Sequence, residues 1–324
     1  MMLPKIAAAA FWLAGAMAVA AQSPLEQIPS GPIAIVVPLA AGGPADALAR
    51  IVVERVGQTI NRSIIIENRA GAGGNIGAAF VAKAKPDGLT WLFAPDSIVT
   101  VNPHVYKSQG FDAAKDLIPI AELGQFSLIL AVNPKAVPVN SFSELVAYSK
   151  KNDLSFGSAG PGSPGHLALE YLRLVSDIRA AHVPYRGAAL VLQDLVGGNI
   201  QASFIVAGAL MPHVKSGALR GLAVSANERS RFLPEVPSAE EAGIKGFDAR
   251  FYNYFFSPSG VKPEVRAAFS AALRDAVKEP SVRARIEEQA TDPTTADEAA
   301  SIAQVASGRQ KWGEIIAKAG LKVE

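Results

Sequence analysis

Three short stretches rich in glycine, serine and proline stand where an apolar run passes into a helical pattern. They are VPLAAGGPADALAR at residues 37–50, FGSAGPGSPGHL at residues 156–167 and VPYRGA at residues 183–188. Proline suits the first position of a helix, and serine or glycine suits the cap before it. The first amides of such a helix have no intrahelical acceptor, and at the positive end of the helix dipole they bind anions. Three such turns, each after a strand, predict a crevice for a small anion.

The side chains near these turns allow more than one interpretation. Gly42 and Gly43 let a ligand approach the backbone, and the hydroxyls of Ser158 and Ser163 add donors beside the free amides. Asp46 lies in the first turn of its helix, where a carboxylate either meets a ligand or simply offsets the dipole. The guanidinium of Arg186 is suited to a second acidic group of a ligand, although an ordinary surface arginine is the commoner case.

The sequence lacks the familiar signatures of catalysis and cofactor binding. It has no cysteine, which excludes thiolate metal sites, cysteine nucleophiles and disulfides. No serine has glycine two residues before and two residues after it, and the four histidines are scattered. The segment RAGAGGNIG at residues 69–77 fails the dinucleotide pattern because Ile76 occupies its third glycine position. We therefore predict no enzyme activity, no cofactor and no metal, and we interpret His166 as a hydrogen-bonding residue at a helix start.

The first 21 residues have the pattern of an export signal. Lys5 precedes an apolar run at residues 6–20, and the small residues of VAA at 19–21 stand before polar Gln22. The pattern predicts a secretory signal peptide cleaved after Ala21 and a periplasmic location. The alternative, a membrane anchor, needs roughly 20 apolar residues, more than this run supplies. Loss of Lys5 leaves 30 basic and 29 acidic residues, a net charge of +1, so the charge indicates no nucleic-acid partner.

Apolar β-branched runs alternate with helical patterns along the remaining chain, which predicts an α/β protein with mostly parallel sheets. Predicted strands cover residues 33–37, 64–67, 89–94, 154–157, 180–184, 200–206 and 219–225, and predicted helices cover 141–151, 164–175 and 188–196. Residues 118–132 suggest two strands with a bend at residues 122–125. The aromatic run ARFYNYFFSPSG at residues 249–260 indicates a core strand, with ligand contact from one of its faces as the alternative.

The sequence contains no flexible linker, so we expect two lobes joined by extended strands. Crossings near residues 123–125 and near Ser225 predict one lobe of residues 22–123 with 225–324, and a second lobe of residues 124–224. Two helical stripes follow in the C-terminal part, and Thr295 with Glu298 predicts a capping box before the second. The stripes consist of Val265, Phe269, Leu273 and Val277, and of Ile302, Val305, Trp312 and Ile316.

Several longer segments resemble the substrate-binding receptors of tripartite tricarboxylate transporters, also called Bug receptors. In chain order they are IVVPLAAGGPADALAR, ENRAGAGGNIGAAFVAKAKPDGLTWLF, VNPHVY, LSFGSAGPGSPGHLALE, HVPYRGAALVLQDLVGGNIQASF and LRGLAVSANERSRFLPEVPSAEEAG. They cover almost the whole chain after the predicted signal. The resemblance implies a two-lobed periplasmic binding protein of the type II, or Venus flytrap, kind, with a ligand cleft between lobes joined by hinge strands.

The resemblance also implies which residues bind the ligand. In such receptors the turns matching residues 39–46 and 158–166 hold a carboxylate through amides and hydroxyls, and the segments matching 96–100 and 185–188 approach the rest of the ligand. Carried over residue by residue, the expected set is Ala41, Gly42, Gly43, Ala45, Asp46, Asn75, Asp96, Ser97, Ser158, Ala159, Gly160, Ser163, His166, Tyr185, Arg186, Gly187 and Ala188. The implied partner is a membrane permease of one large and one small subunit.

Some positions depart from the usual pattern of these receptors. Ala45 stands where threonine is common, Ala188 and Leu190 where serine and proline are common, and Ile205 with Val206 where a polar stretch is common. These changes favour an apolar or aromatic ligand body among dicarboxylates, tricarboxylates, amino acids and aromatic acids. The alternatives are a sensing receptor without its own permease and an exported enzyme acting on the same acids. We expect a monomer, because hinge closure needs free lobes.

Overall fold

The computed structural model describes residues 27–322, so the predicted signal peptide lies outside the described residues. The chain forms two β-sheets flanked by helices. The strands are β1 (Ile33–Val37), β2 (Ile64–Asn68), β3 (Thr90–Pro95), β4 (Leu117–Phe126), β5 (Leu128–Val132), β6 (Ser155–Ser158), β7 (Ala181–Pro184), β8 (Ala202–Val206), β9 (Arg220–Val224), β10 (Phe251–Pro258) and β11 (Asp292–Pro293). The helices are α1 (Pro44–Ile60), α2 (Asn75–Ala82), α3 (Ser97–Thr100), α4 (Asn102–Val105), α5 (Phe142–Ser149), α6 (Pro164–Val175), α7 (Ala188–Gly197), α8 (Ala207–Lys215), α9 (Pro263–Lys278), α10 (Pro280–Glu288) and α11 (Glu298–Ala319).

Most strands of each sheet point the same way. The first sheet has the order β11-β4-β10-β3-β1-β2, and the second has the order β7-β6-β8-β5-β9. In the first sheet β10 and β11 run against the other strands, and in the second β5 does. The predicted direction is therefore confirmed for most strands, although β10 and β5 lie inside their sheets and make both sheets mixed. The carboxyl ends of β1, β2 and β3 meet at one edge, as do those of β6 and β7.

The chain passes from the first sheet to the second between β4 and β5, where Ser127 alone separates the two strands. The predicted bend at residues 122–125 is wrong, because β4 continues through them to Phe126. Antiparallel β10 pairs with this part of β4, with Glu122 opposite Tyr254 and Gln125 opposite Tyr252. The register of this pairing shifts between Asn253 and Tyr254, as it does at a β-bulge. The partner strand follows later in the chain, with Tyr252 and Tyr254 paired to Gln125 and Glu122, so local sequence gave no sign of it.

Aromatic contacts mark the cores on the two sheets. Under the first sheet, Trp91 of β3 stacks on Phe269 of α9 with ring centroids 4.5 Å apart. Trp312 of α11 stacks on Phe251 at 5.4 Å and belongs to a buried cluster with Leu130 of the second sheet. The last helix therefore contacts β10 of the first sheet and, through Tyr171, the helix α6 that follows β6 of the second sheet. The aromatic run forms β10 and is mostly buried, which confirms its interpretation as a core strand.

The start of α11 differs from the prediction. Thr295 does not cap the helix; Asp297 does, and its side chain accepts a hydrogen bond from the amide of Ala300. A carboxylate is an equally good cap, and the helix begins directly after it. In the predicted stripes, Ile302 is 45% exposed, while the other members are buried.

Candidate ligand-binding cleft

The turn between β1 and α1 presents free backbone amides. Gly42 has a φ of 78°, a conformation that glycine adopts without strain, and Gly43 caps the helix without help from a side chain. Within residues 27–322 the amides of Ala45 and Asp46 donate to no protein acceptor. Ala41 and Gly42 are exposed and Gly43 is half-buried, so solvent reaches the turn, whereas the side chain of Ala45 is buried.

The carboxylate of Asp46 holds this turn together. It is 2% exposed, and its Oδ2 accepts hydrogen bonds from the Gly42 amide and from Arg50 Nε, each at 2.9 Å. Its Oδ1 accepts from Arg50 Nη2 at 3.0 Å and from Asn68 Nδ2 at 2.9 Å. The hydrogen bonds from Arg50 lower the pKa of Asp46 to about 2 despite burial, and Gly42 and Asn68 assist. Sequence reasoning missed Asn68, although its place at the carboxyl end of β2, beside β1, was a usable signal.

Asn75 begins α2 and keeps one unpartnered donor. It is 4% exposed, and its Oδ1 accepts hydrogen bonds from Asn102 Nδ2 at 2.8 Å and Gln109 Nε2 at 2.9 Å. Its own Nδ2 is buried and has no acceptor in the part of the chain that the structure describes. The side chain therefore has a donor to spare for a ligand group.

Asp96 follows β3 and faces the neighbouring strand. It is 3% exposed, and its Oδ1 accepts a hydrogen bond from the Tyr252 amide at 3.2 Å. Burial raises the pKa of Asp96 to about 7, and the nearby carboxylate of Glu122 adds to the effect. Burial likewise raises the pKa of Glu122. The adjacent Ser97 is half-buried.

The turn between β6 and α6 contains the clearest unused donor of the second sheet. Ser163 precedes α6, yet its Oγ accepts no capping hydrogen bond. This Oγ is buried and has no hydrogen-bond partner within residues 27–322. The amides of Gly165 and His166 also donate to no protein acceptor there. Ser158, by contrast, is 1% exposed, and its Oγ is hydrogen-bonded to His182 and Gly160, so this hydroxyl supports the turn.

The turn between β7 and α7 is the most exposed of the three. Tyr185 donates its hydroxyl to Asp194 Oδ2 at 2.7 Å, and burial together with Asp194 raises its pKa to about 12. Arg186 is exposed, and its guanidinium has no hydrogen bond or ion pair within the described residues. Gly187, with a φ of 143°, caps α7 without a side-chain bond, and the Ala188 amide behind it has no acceptor in the same part of the chain.

His166 lies against a histidine that sequence reasoning left unassigned. It is 8% exposed, and its ring stacks on that of His182 with centroids 4.0 Å apart and planes 8° apart. Burial lowers the pKa of His166 to about 4, with help from His182 and Arg173, so the ring is neutral near pH 7. The expected hydrogen-bonding role is present, since Nδ1 accepts from the Gly162 amide at 3.1 Å.

The predicted residues fall into two groups. In the first group, Gly74 lies against Ile98 and Pro38: a Cβ added to Gly74 would be 2.5 Å from Ile98 Cδ1 and 3.6 Å from Pro38 Cβ. The segments after β1, β2 and β3 are therefore in contact. In the second, the Tyr185 amide donates to the Ser158 carbonyl at 2.8 Å and joins the turns after β6 and β7. No hydrogen bond within residues 27–322 joins the two groups, which stand at strand ends of different sheets.

The expectation that Ile205 makes the cleft less polar is wrong. Ile205 is 4% exposed and packs in a buried cluster with Val191 and Leu195, because its side chain points to the α7 side of β8. Leu190, by contrast, is 48% exposed at the start of α7, and Val206 is half-buried. The apolar character expected around the third turn therefore comes mainly from Leu190 and Ala188.

Among the described residues we also considered a surface groove, groups of metal-binding side chains and membrane-spanning helices. A surface groove of about 620 Å³ along α1 and β2 contains none of the predicted residues. Within residues 27–322 no group of three or more histidine, aspartate and glutamate side chains is arranged to hold a metal ion. No helix in that part of the chain is long and apolar enough to cross a membrane.

A family model described as "Tripartite tricarboxylate transporter family receptor", TctC, matches residues 48–321. The chain belongs to this receptor family. The match begins inside α1, so the turn of residues 41–46 lies just before it, while the turns after β6 and β7 lie within it.

Solved structures of similar proteins share the fold of the receptor. The periplasmic binding protein BugD has a TM-score of 0.79 and 30% sequence identity, with 91% of this chain and 100% of that chain covered. R. palustris Rpa4515 with adipate has a TM-score of 0.81 and 28% identity, covering 90% and 97%. MatC from Rhodopseudomonas palustris with bound malate has a TM-score of 0.77 and 27% identity, covering 88% and 98%. These matches confirm the two-lobed binding-protein fold predicted from the sequence.

Proposed function

We propose that the protein is a periplasmic receptor that binds a small organic carboxylate between its two lobes and delivers it to a tripartite permease. In this proposal residues 1–21 are a signal removed after Ala21, and the lobes consist of residues 22–123 with 225–324 and of residues 124–224. The receptor acts as a monomer, makes no covalent change to its ligand, and docks in the closed form on the large and small permease subunits.

The observation that carries the proposal is the buried, unpartnered Oγ of Ser163 beside free helix amides. A buried hydroxyl without a partner destabilises a protein unless a ligand group completes its hydrogen bond. The helix dipole and the free amides of Gly165 and His166 favour a negative group at that position. The free amides of Ala45 and Asp46 offer the same chemistry from the first lobe. A carboxylate has about four acceptor positions, so it can take up most of these five donors without an arginine or lysine.

The chemistry of the third turn favours a diacid with an apolar middle. Arg186 is exposed and unpaired in the described residues, so it is available to a second carboxylate, and Leu190 lies exposed in the first turn of α7. Two of the similar structures hold diacids, adipate in one and malate in the other. We propose a dicarboxylate as the first class to test, with aromatic monoacids next.

The donors are numerous enough for useful affinity. A hydrogen bond to a charged group contributes about 1.5–3 kcal/mol, so four or five such contacts offset the losses on association and closure and reach roughly micromolar dissociation constants. Neutral donors suit a carrier, because the receptor has to release the bound acid at the permease.

A thermal-shift screen of the mature protein against monocarboxylic, dicarboxylic, tricarboxylic and aromatic acids tests the proposal. An acid present at 100 times its dissociation constant adds about 2.7 kcal/mol to the free energy of unfolding, which gives a clear rise in melting temperature. If none of the acids raises the melting temperature, carboxylate binding is wrong. Uptake of the bound acid by vesicles containing both permease subunits then tests delivery, and product formation over time tests the enzyme alternative.

A further inference from the structure

We infer that the imidazole of His166 is a positioning group, which together with His182 fixes the turn of residues 158–163, and that this side chain does not contact the ligand. The inference deepens the proposed function, because this turn is the one that presents Ser163 and the free amides of α6. It departs from what the resemblance implies, which places His166 among the ligand-binding residues.

Both nitrogens and one face of the His166 ring already contact other residues. Its Nδ1 accepts a hydrogen bond from the Gly162 amide at 3.1 Å. Its Nε2 lies 3.6 Å from Glu170 Oε1, on the same helix. One face of the ring is covered by His182 at 4.0 Å, and the residue as a whole is only 8% exposed.

The hydrogen bond from Gly162 also decides which ring nitrogen of His166 carries the proton. An imidazole nitrogen that accepts a hydrogen bond carries no proton, so the bond from Gly162 assigns the proton of neutral His166 to Nε2. That proton points toward Glu170, whose carboxylate is also bonded by Arg173. At 3.6 Å this approach is too long for a hydrogen bond, so the ring is held by the hydrogen bond from Gly162 and by its stack on His182.

The two imidazoles hold opposite ends of the loop of residues 158–162. His182 Nε2 lies 2.7 Å from Ser158 Oγ at the start of the turn, while His166 holds Gly162 near its end. Between them Gly160 and Gly162 have φ values of 127° and 74°, which glycine adopts readily and which leave the loop with high freedom when unrestrained. Fixing the loop before the ligand arrives reduces the entropy lost on binding.

The arrangement requires a neutral ring. Protonation of Nδ1 would place an N–H opposite the Gly162 N–H and remove the hydrogen bond. The titratable and charged groups that face His166 are His182 from β7, and Glu170 and Arg173 from its own helix. Burial, His182 and Arg173 all lower the pKa of His166, to about 4, so the turn keeps its shape across the range near pH 5–8.

Long-range ¹H–¹⁵N NMR of the unliganded mature protein tests the tautomer without any variant or ligand. We expect the pattern of a neutral ring with its proton on Nε2 between pH 5.5 and 8. A proton on Nδ1, or titration of His166 near pH 6.5, would overturn the inference. Because no ligand is used, this result is independent of the proposed function.

Three variants test the positioning role itself. His166→Asn keeps a polar atom near the place of Nδ1, His166→Gln keeps one near Nε2, and His166→Phe keeps the stack on His182 without an acceptor. We expect the Gly162 amide shift to change in the Gln and Phe variants and to return toward wild type in the Asn variant. In titration calorimetry with adipate and with malate, the Gln and Phe variants should bind about tenfold more weakly and the Asn variant less than about threefold more weakly.

The two hypotheses fail in different ways. If wild type binds an acid and all three variants bind it equally well with an unchanged Gly162 shift, the positioning role is wrong and the proposed function stands. If wild type binds no acid while NMR shows the Nε2 proton and the variant-dependent Gly162 shift, the proposed function is wrong and the role of His166 in the turn stands.

Discussion

Replacing Ser163 with alanine separates a ligand-binding hydroxyl from a structural one. A serine at the cap of a helix normally contributes about 0.5–2 kcal/mol through a hydrogen bond to a helix amide. Ser163 makes no such bond, and its Oγ is buried with no partner among residues 27–322. The usual reason for a serine at this position is therefore missing from the unliganded protein.

The Ser163→Ala substitution should have opposite effects on the stability of the unliganded protein and on the stability of the complex. A buried hydroxyl without a partner carries a desolvation penalty of about 1–3 kcal/mol, and the small cavity left by alanine offsets part of its removal. We therefore expect the free energy of unfolding of the unliganded Ser163→Ala variant to be unchanged or up to about 1 kcal/mol higher. In the complex, loss of one hydrogen bond to a carboxylate costs about 1.5–3 kcal/mol, which weakens binding roughly 10- to 140-fold.

Urea unfolding without ligand and titration calorimetry with the acid found in the screen measure the two effects. Ser301→Ala is the matched control, because Ser301 Oγ is likewise buried without a partner in the described residues but lies in α11. It should match Ser163→Ala in stability and wild type in affinity. A Ser163→Ala variant that loses stability without ligand, or that binds the acid as tightly as wild type, would refute the reasoning.

Three further substitutions test the segments that follow β1 and β3. Gly43→Asp puts a carboxylate where that of the ligand is proposed to lie, so calorimetry should detect no binding; unchanged affinity would contradict the placement. Asp46→Asn should lower the free energy of unfolding by about 2 kcal/mol at pH 7, since the native pKa of about 2 lies below the usual 3.8. That stabilisation is present above pH 4 and is lost as the pH falls toward 2, so urea titrations at pH 7 and pH 3 should show a shrinking difference. Asp96 has the opposite sign, because its raised pKa makes the folded state bind a proton more tightly, and stability falls as the pH rises from about 4 to 7. Asp96→Asn should remove this dependence and make the protein more stable than wild type at pH 8, and an unchanged pH profile would count against the buried carboxylate.

The elements that depend on local pattern were predictable from the sequence. The turns before α1, α6 and α7 were placed correctly because glycine, serine and proline fix the start of a helix through their own backbone preferences. The bend in β4 was misplaced because β10 keeps residues 122–125 extended, and β10 comes from a distant part of the chain. The cap of α11 was misplaced by two residues because Asp297 and Thr295 are both suitable caps, and local sequence does not choose between them.

The candidate site shows the same division between local and long-range information. The free amides follow from helix starts, so the sequence predicted them. The partners of Asp46, Asn75 and His166 do not follow, because Asn68, Asn102 and His182 reach them through packing of separate segments. Whether a polar side chain near a turn supports it or remains open to a ligand depends on those partners, and that distinction needs the structure.

The pairing of charges around the turns explains why neutral donors are left for the ligand. Arg50 is bonded to Asp46, and Arg173 is bonded to Glu170, so both guanidinium groups serve the protein's own carboxylates. A cation already paired in this way offers little to an incoming anion, whereas an unpaired amide or the Ser163 hydroxyl gains its first partner. Arg186 differs, because its guanidinium has no partner within residues 27–322 and stands exposed at the rim of the third turn. A ligand carboxylate held by amides at one end, with a second acidic group beside Arg186, would therefore satisfy both kinds of donor in one closed cleft.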